Sequence, residues 1–183
     1  KITIDAMPHG AEDRSGAVTF QLDRNDEDGN PITCTYTVQQ FDYECDEDCV
    51  IPMQQATQGQ RGGIDILFVG DGYDAEDIAN GTYYNNMQQE MTYFFAVEPY
   101  KTYRNYFNVS AAVAMSYESG VLDSPDKWRT TKFSITWGAS DNGRLSVPFE
   151  SIGSYVLQDV TNCPITTDNV SRSLIICVPN SDA

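Results

Sequence analysis

The sequence predicts an α/β protein with a β-rich amino terminus, in which antiparallel strands precede a mainly parallel sheet with flanking helices built from βαβ units. Three observations predict this. The first forty residues alternate apolar and polar with a period of two. Three short apolar runs follow, at Ile64 to Val69, Phe107 to Met115 and Ser173 to Val178. Segments of helical periodicity separate those runs, which is the order of elements that makes a parallel sheet.

In the amino-terminal region Ile2 and Ile4, then Val18, Phe20 and Leu22, then Ile32, Cys34, Tyr36 and Val38 mark half-buried strands, with Thr33, Thr35, Thr37 and Gln39 on the opposite face. Asp23 to Pro31 (DRNDEDGNP) closes a hairpin through Asp28-Gly29-Asn30. Its oxygen-rich side chains do not make an EF-hand: counting from Asp23, the sixth position holds Asp28 rather than glycine and the twelfth Cys34 rather than glutamate. Residues 43–62 lose periodicity and collect Asp, Glu, Gln, Pro and Gly, so they read as an acidic, polar linker between residues 1–42 and an α/β unit at 63–183.

That unit opens with a strand, the turn Gly70-Asp71-Gly72-Tyr73, and a helix capped by Asp74 with Asp77 at its third position. Ala75, Ile78, Ala79, Tyr83, Met87, Met91, Phe94 and Phe95 recur at spacings of three and four, which predicts one helix of roughly 22 residues and about 33 Å. Asn80-Gly81 weakens its middle by about 1 kcal/mol. A second helix is expected at Ser151 to Val160, ahead of the third strand. Ser116 to Pro148, irregular and polar apart from Trp128, Phe133 and Trp137, reads as a site-forming insert.

Composition narrows function. Eleven basic against 27 acidic residues leave a formal charge of −16, which repels phosphate backbones and makes nucleic acid a poor partner. No stretch of 18 apolar residues is present, so no membrane span is expected. Of five cysteines, Cys34 and Cys177 sit in apolar strand patterns, whereas Cys45 and Cys49 flank Asp46, Glu47 and Asp48 in the acidic linker, where a local disulfide or a zinc half-site stays open beside the plain linker reading.

Open parallel sheets bind ligands beyond the carboxyl ends of their strands, so Gly70 to Asp74, Ser116 to Gly120 and Pro179 to Ala183 are expected to meet at one crest. Gly70 to Ala75 fits G-x-G-x-x-A, yet Asp71, Asp74, Glu76 and Asp77 would crowd carboxylates where a dinucleotide pyrophosphate must sit. The single histidine, His9, lies far from this crest, and neither G-x-S-x-G nor a phosphate loop occurs, which argues against nucleophilic triads and nucleotide hydrolysis. Asp71 with Glu118 could hold a hard metal ion or act as acid and base, but a turn at Asp71 and a cap at Asp74 account for these residues more simply. Seven of the eleven tyrosines fall between Tyr83 and Tyr117, a density that fits core and rim packing better than a sugar platform.

From Ile64 to Val121 the chain resembles the amino-terminal half of the catalytic domain of the IgA peptidase family of zinc metallopeptidases. The pattern is an apolar strand ending in a G-Y turn, a helix, FF-x(3)-P-Y-x(2)-Y-x(2)-Y-F-N-V, and a strand ending in S-x-E-S-G-V. It continues through Thr130 to Phe133, Gly143 to Leu145 and the strand at Ser173 to Val178. Arg14 to Phe20 and Tyr36 to Gln40 are similar to the last strands of a BACON-type module, which implies a partial antiparallel β-sandwich at residues 1–42.

The resemblance implies an extracytoplasmic peptidase (secreted, periplasmic or at the cell surface) that acts on protein or peptide and uses zinc in the intact parent protein. Family members hold zinc with an H-E-x-x-H helix and a third ligand, and a zinc-bound water attacks the peptide carbonyl. No H-E-x-x-H occurs here, so the expectation is the front portion of such an enzyme, inactive alone, with no catalytic or metal residue and no cofactor of its own. Asp71, Gly72, Tyr73, Ser116, Glu118, Ser119 and Gly120 are the cleft-lining candidates. The alternative is a non-catalytic surface protein for adhesion or carbohydrate binding, with Trp128 and Trp137 as recognition residues.

Overall fold

The computed structural model describes residues 14–26, 28–40, 47–59, 62–121, 129–137 and 145–181. The chain divides into two compact units, Lys1–Glu44 and Cys45–Ala183. In the first, β1 (Arg14–Asn25) and β2 (Pro31–Gln40) form an antiparallel hairpin with Phe20 opposite Cys34. Its turn is held by Asp26, whose Oδ1 accepts from the backbone of Asp28 and Asn30, while Gly29 takes φ +83°. Among the described residues this unit is one two-stranded layer with no second sheet to cover it. Leu22 is accordingly 51% exposed, and Cys34, expected to act as a small buried hydrophobe, is an exposed thiol. Ile2 and Ile4 lie outside the described residues.

The second unit is a four-stranded mixed sheet in the order β3-β5-β4-β8, comprising β3 (Val50–Gln54), β4 (Ile64–Asp71), β5 (Phe107–Ala112) and β8 (Leu174–Pro179). β4, β5 and β8 run parallel, as the apolar runs predict, with Ile66 beside Val109 on one side and Leu174 on the other. β3 is antiparallel to β5 and occupies part of the stretch read as linker. Its position explains the misreading: an edge strand tolerates Pro52, which donates nothing to the ladder, and needs only one apolar side.

The expected 22-residue helix is two helices, α1 (Ala75–Ala79) and α2 (Thr82–Phe94). Asn80 caps the first, and Gly81 at φ +83° starts the second, so the Asn-Gly pair breaks the helix outright instead of weakening it. Tyr83 and Met87 of α2 are buried. The ring of Tyr83 lies where a side chain on Gly70 would be, only 2.6 Å from an ideal Cβ there, so α2 covers the face of β4 that carries Ile66, Phe68 and Gly70. The opposite face, with Leu67, Val69, Ala112 and Ala114, packs on Ile152, Tyr155 and Val156 of α3 (Phe149–Gln158). The result is a sheet between helices.

The 116–148 insert contributes to this second core through Phe133 and Ile135, and contains a short antiparallel pair, β6 (Thr136–Trp137) with β7 (Leu145–Ser146). Its described part is therefore anchored structure, not a polar loop alone. Of the clustered tyrosines, Tyr83 is buried and Tyr100 packs on Phe94 and Phe107, whereas Tyr93, Tyr103 and Tyr106 are 56, 54 and 39% exposed. No helix among the described residues is long and apolar enough to cross a membrane.

Candidate functional site

Parallel alignment of β4, β5 and β8 brings the segments 70–74, 113–121 and 179–181 to one end of the sheet. Asp71, the last residue of β4, is fully buried. Its Oδ1 accepts from the Phe133 N–H at 3.0 Å and the Ser116 hydroxyl at 3.3 Å, and its Oδ2 accepts from the Ile135 N–H at 2.8 Å and the Thr131 hydroxyl at 2.9 Å. Four donors around one buried carboxylate offset its lost hydration. They also occupy both oxygens, so Asp71 is a tie between β4 and the 131–135 segment, and the reading of Asp71 with Glu118 as an acid–base or metal pair does not hold. Glu118 instead binds the Thr130 N–H through Oε2 and exchanges a backbone bond with the same residue.

Gly72 takes φ +79°, and a Cβ there would lie 2.7 Å from the backbone of Gly120. Only glycine at 72 allows this approach, Gly120 itself takes φ +84°, and the Gly120 N–H donates to the Gly72 carbonyl at 2.7 Å. The Gly72 N–H donates to Ser116 Oγ at 2.9 Å. Ser116, 4% exposed, also accepts from the Lys132 N–H, so one hydroxyl joins β4, the segment after β5 and the insert. Tyr73 is fully buried, edge-on to Tyr83 at 5.0 Å, with its hydroxyl accepting from Asn86. Burial pushes its phenol up to about 12. Ser119 and Gly120 form a half-exposed upper layer, the Ser119 carbonyl accepting from Arg129.

Thus Asp71, Gly72, Tyr73 and Ser116 form a buried floor, and Glu118, Ser119 and Gly120 lie above it. Asn180 closes the arrangement: its amide Nδ2 reaches the Gly72 carbonyl at 2.9 Å, Asp77 Oδ2 at 3.1 Å and Ser119 Oγ at 3.3 Å, and its carbonyl accepts from the Val121 N–H. The sequence reading placed 179–183 at the crest without singling out Asn180. The first polar residue after an apolar strand was the available signal. A cavity of about 460 Å³ opens beside this assembly, lined by Asp74, Ala75, Glu76, Met115, Ser116 and Tyr117.

At the far side of the crest Lys132 pairs with Glu47 and Asp48 at 3.2 Å each and lies over the ring of Tyr155. Burial pulls its ammonium down, but the bonds to Glu47 and Asp48 outweigh this and the net shift is upward. Burial, and then Asp48, push the Tyr155 phenol up. Cys177 packs at the margin of the core, and burial with the Asp71 carboxylate nearby raises its thiol to about 11, the signature of an inert structural cysteine.

The residue order that builds this crest matches a known family model, described as IgA Peptidase M64, over residues 51–165, more than half of the chain. The chain belongs to the IgA peptidase M64 family. No curated protein matches it. The matched span runs from within β3 through α3 and so includes β4, β5 and most of β3 but not β8.

M64 enzymes are zinc metallopeptidases, and the residues present do not fit a catalytic zinc, which needs three protein ligands and an open position. Among the described residues no group of three His, Cys, Asp or Glu side chains is placed to hold a metal ion. Asp71 is saturated by donors, and Cys49 is disulfide-bonded, which removes it from the zinc half-site reading. His9, Cys45 and Trp128 lie outside the described residues, as does the side chain of Trp137.

Proposed function

We propose that this chain is the front portion of the catalytic domain of an extracytoplasmic, IgA-peptidase-like zinc endopeptidase. In this reading its crest forms one wall of the cleft for a protein or peptide substrate. The observation that carries it is the match to the M64 family across 51–165, a span that includes Asp71, Gly72, Tyr73, Ser116, Glu118, Ser119 and Gly120. The zinc ligands belong, on this reading, to residues outside these 183, since the sequence has one histidine and no H-E-x-x-H. The disulfide at Cys49 supports an oxidising compartment. The antiparallel β1–β2 hairpin supports a BACON-like module ahead of the catalytic domain.

What the residues present supply is shape. Gly72 and Gly120 lock two turns backbone to backbone, Ser116 and Asp71 fix the insert, and the resulting wall binds and orients without taking part in bond breaking. The test is metal content and peptide cleavage of the 183-residue chain. The expected result is no stoichiometric zinc and no cleavage. One equivalent of zinc together with hydrolysis of a peptide would overturn the proposal.

A further inference from the structure

We propose that the cavity beside α1 is a subsite for a guanidinium side chain of the bound peptide, an inference that rests on reading the crest as a peptide-binding wall. Its volume of about 460 Å³ falls in the range of side-chain and small-ligand pockets. The lining divides by chemistry. Asp74 and Glu76 are acidic, Met115 and Ala75 apolar, Ser116 polar and Tyr117 aromatic. No basic residue is among the described residues that line it. A long side chain with an apolar stem and a planar cation at its tip complements all three surfaces at once.

Two further observations point the same way. Tyr117 is 86% exposed, the most exposed large hydrophobic residue among those described, although its neighbour Ser116 is buried and bonded to Gly72, Asp71 and Lys132. The Tyr117 backbone is therefore held between Ser116, bonded to Tyr73, and Glu118, bonded to Thr130, while its ring stands unburied, which lowers the entropy lost when a partner stacks on it. Glu76 is the second. Asp74 Oδ1 is used in capping the Glu76 and Asp77 N–H groups, but the Glu76 carboxylate has no hydrogen-bond or ion-pair partner among the described residues. With Asp77 adjacent and the chain at −16 overall, an incoming cation meets a negative field at this mouth.

The guanidinium would lie between Tyr117 and Glu76, its stem along Met115. The binding is non-covalent and transfers no proton. The experiment titrates the isotopically labelled 183-residue chain with N-acetyl-arginine methylamide and with its neutral norleucine counterpart, reading amide shifts by NMR. Both residues are then compared at the centre of a five-residue glycine peptide. The arginine probe is expected to shift the amides of 74–76 and 115–117 beyond the norleucine probe, with an affinity that falls as salt is added. Glu76→Gln and Tyr117→Ala should each weaken it about threefold, while Glu150→Gln, on the exposed face of α3, leaves it unchanged. Equal shifts from the two probes, or shifts elsewhere, would overturn the subsite. If the peptides bind at the crest without preferring arginine, the subsite fails and the cleft reading stands. If the arginine probe binds but the peptides gain nothing over it, the cleft reading fails alone.

Discussion

Asp71→Asn is the sharpest probe of how the crest is held. The carboxylate accepts two backbone N–H groups, one on each oxygen, so an amide in its place must turn its NH2 toward either Phe133 or Ile135. One buried N–H then faces a donor and is orphaned, a cost of about 2 kcal/mol, and the remaining bonds lose their charge assistance for about 1 kcal/mol more. The expected loss is about 3 kcal/mol. With a slope of about 2 kcal/mol per molar urea, the unfolding midpoint of the Cys45–Ala183 unit drops by roughly 1.5 M. Hydrogen exchange at Ile135 should accelerate by the same free energy, and Thr131→Val, which removes one hydroxyl that donates to Asp71 and accepts from the exposed Ser134 N–H, should cost only about 1 kcal/mol. A midpoint lowered by less than about 0.5 M, with Ile135 still protected, would refute the account of Asp71 as the tie.

Gly72→Ala combines a left-handed backbone with a Cβ 2.7 Å from Gly120 and should cost about 3 kcal/mol or more, whereas Gly62→Ala, at φ +81° with open space around it, should cost about 1 kcal/mol in the same urea titration. Tyr73 titrates near 10 when unfolded and near 12 when folded, so its contribution is fully present below pH 10 and lost as pH rises through about 12. Tyr73→Phe should flatten the fall in stability across that window. Lys132→Met removes two partly exposed ion pairs and should cost about 0.5 to 1 kcal/mol, less at high salt. A salt-independent loss would assign the effect to packing on Tyr155 instead.

Apolar runs of six to nine residues flanked by helical stripes made the parallel strands legible, because burial on both faces requires them. β3 was not legible: Pro52 and Gln54 are unremarkable only on an edge, and edge placement is a tertiary fact. Asn80-Gly81 announced weakness in the helix, but whether it bends or breaks depends on Tyr83 finding its seat over Gly70. The crest segments were read correctly as neighbours from strand direction. The role of Asp71 was not, because its partners Phe133 and Ile135 sit 62 and 64 residues away and donate through backbone atoms that carry no residue signature. Asn180 escaped because the partners of its side-chain amide, Gly72, Asp77 and Ser119, are also far away along the chain.

The Asn180 amide joins points 108, 103 and 61 residues distant along the chain. Such a junction has no local precursor, so it can appear only once β8 has taken its place, late in any folding sequence ordered by chain separation. A break introduced anywhere between β4 and β8 would leave neither fragment with a complete crest, and nascent chains that end before Asn180 should expose Gly72 and Ser119 without their shared clasp.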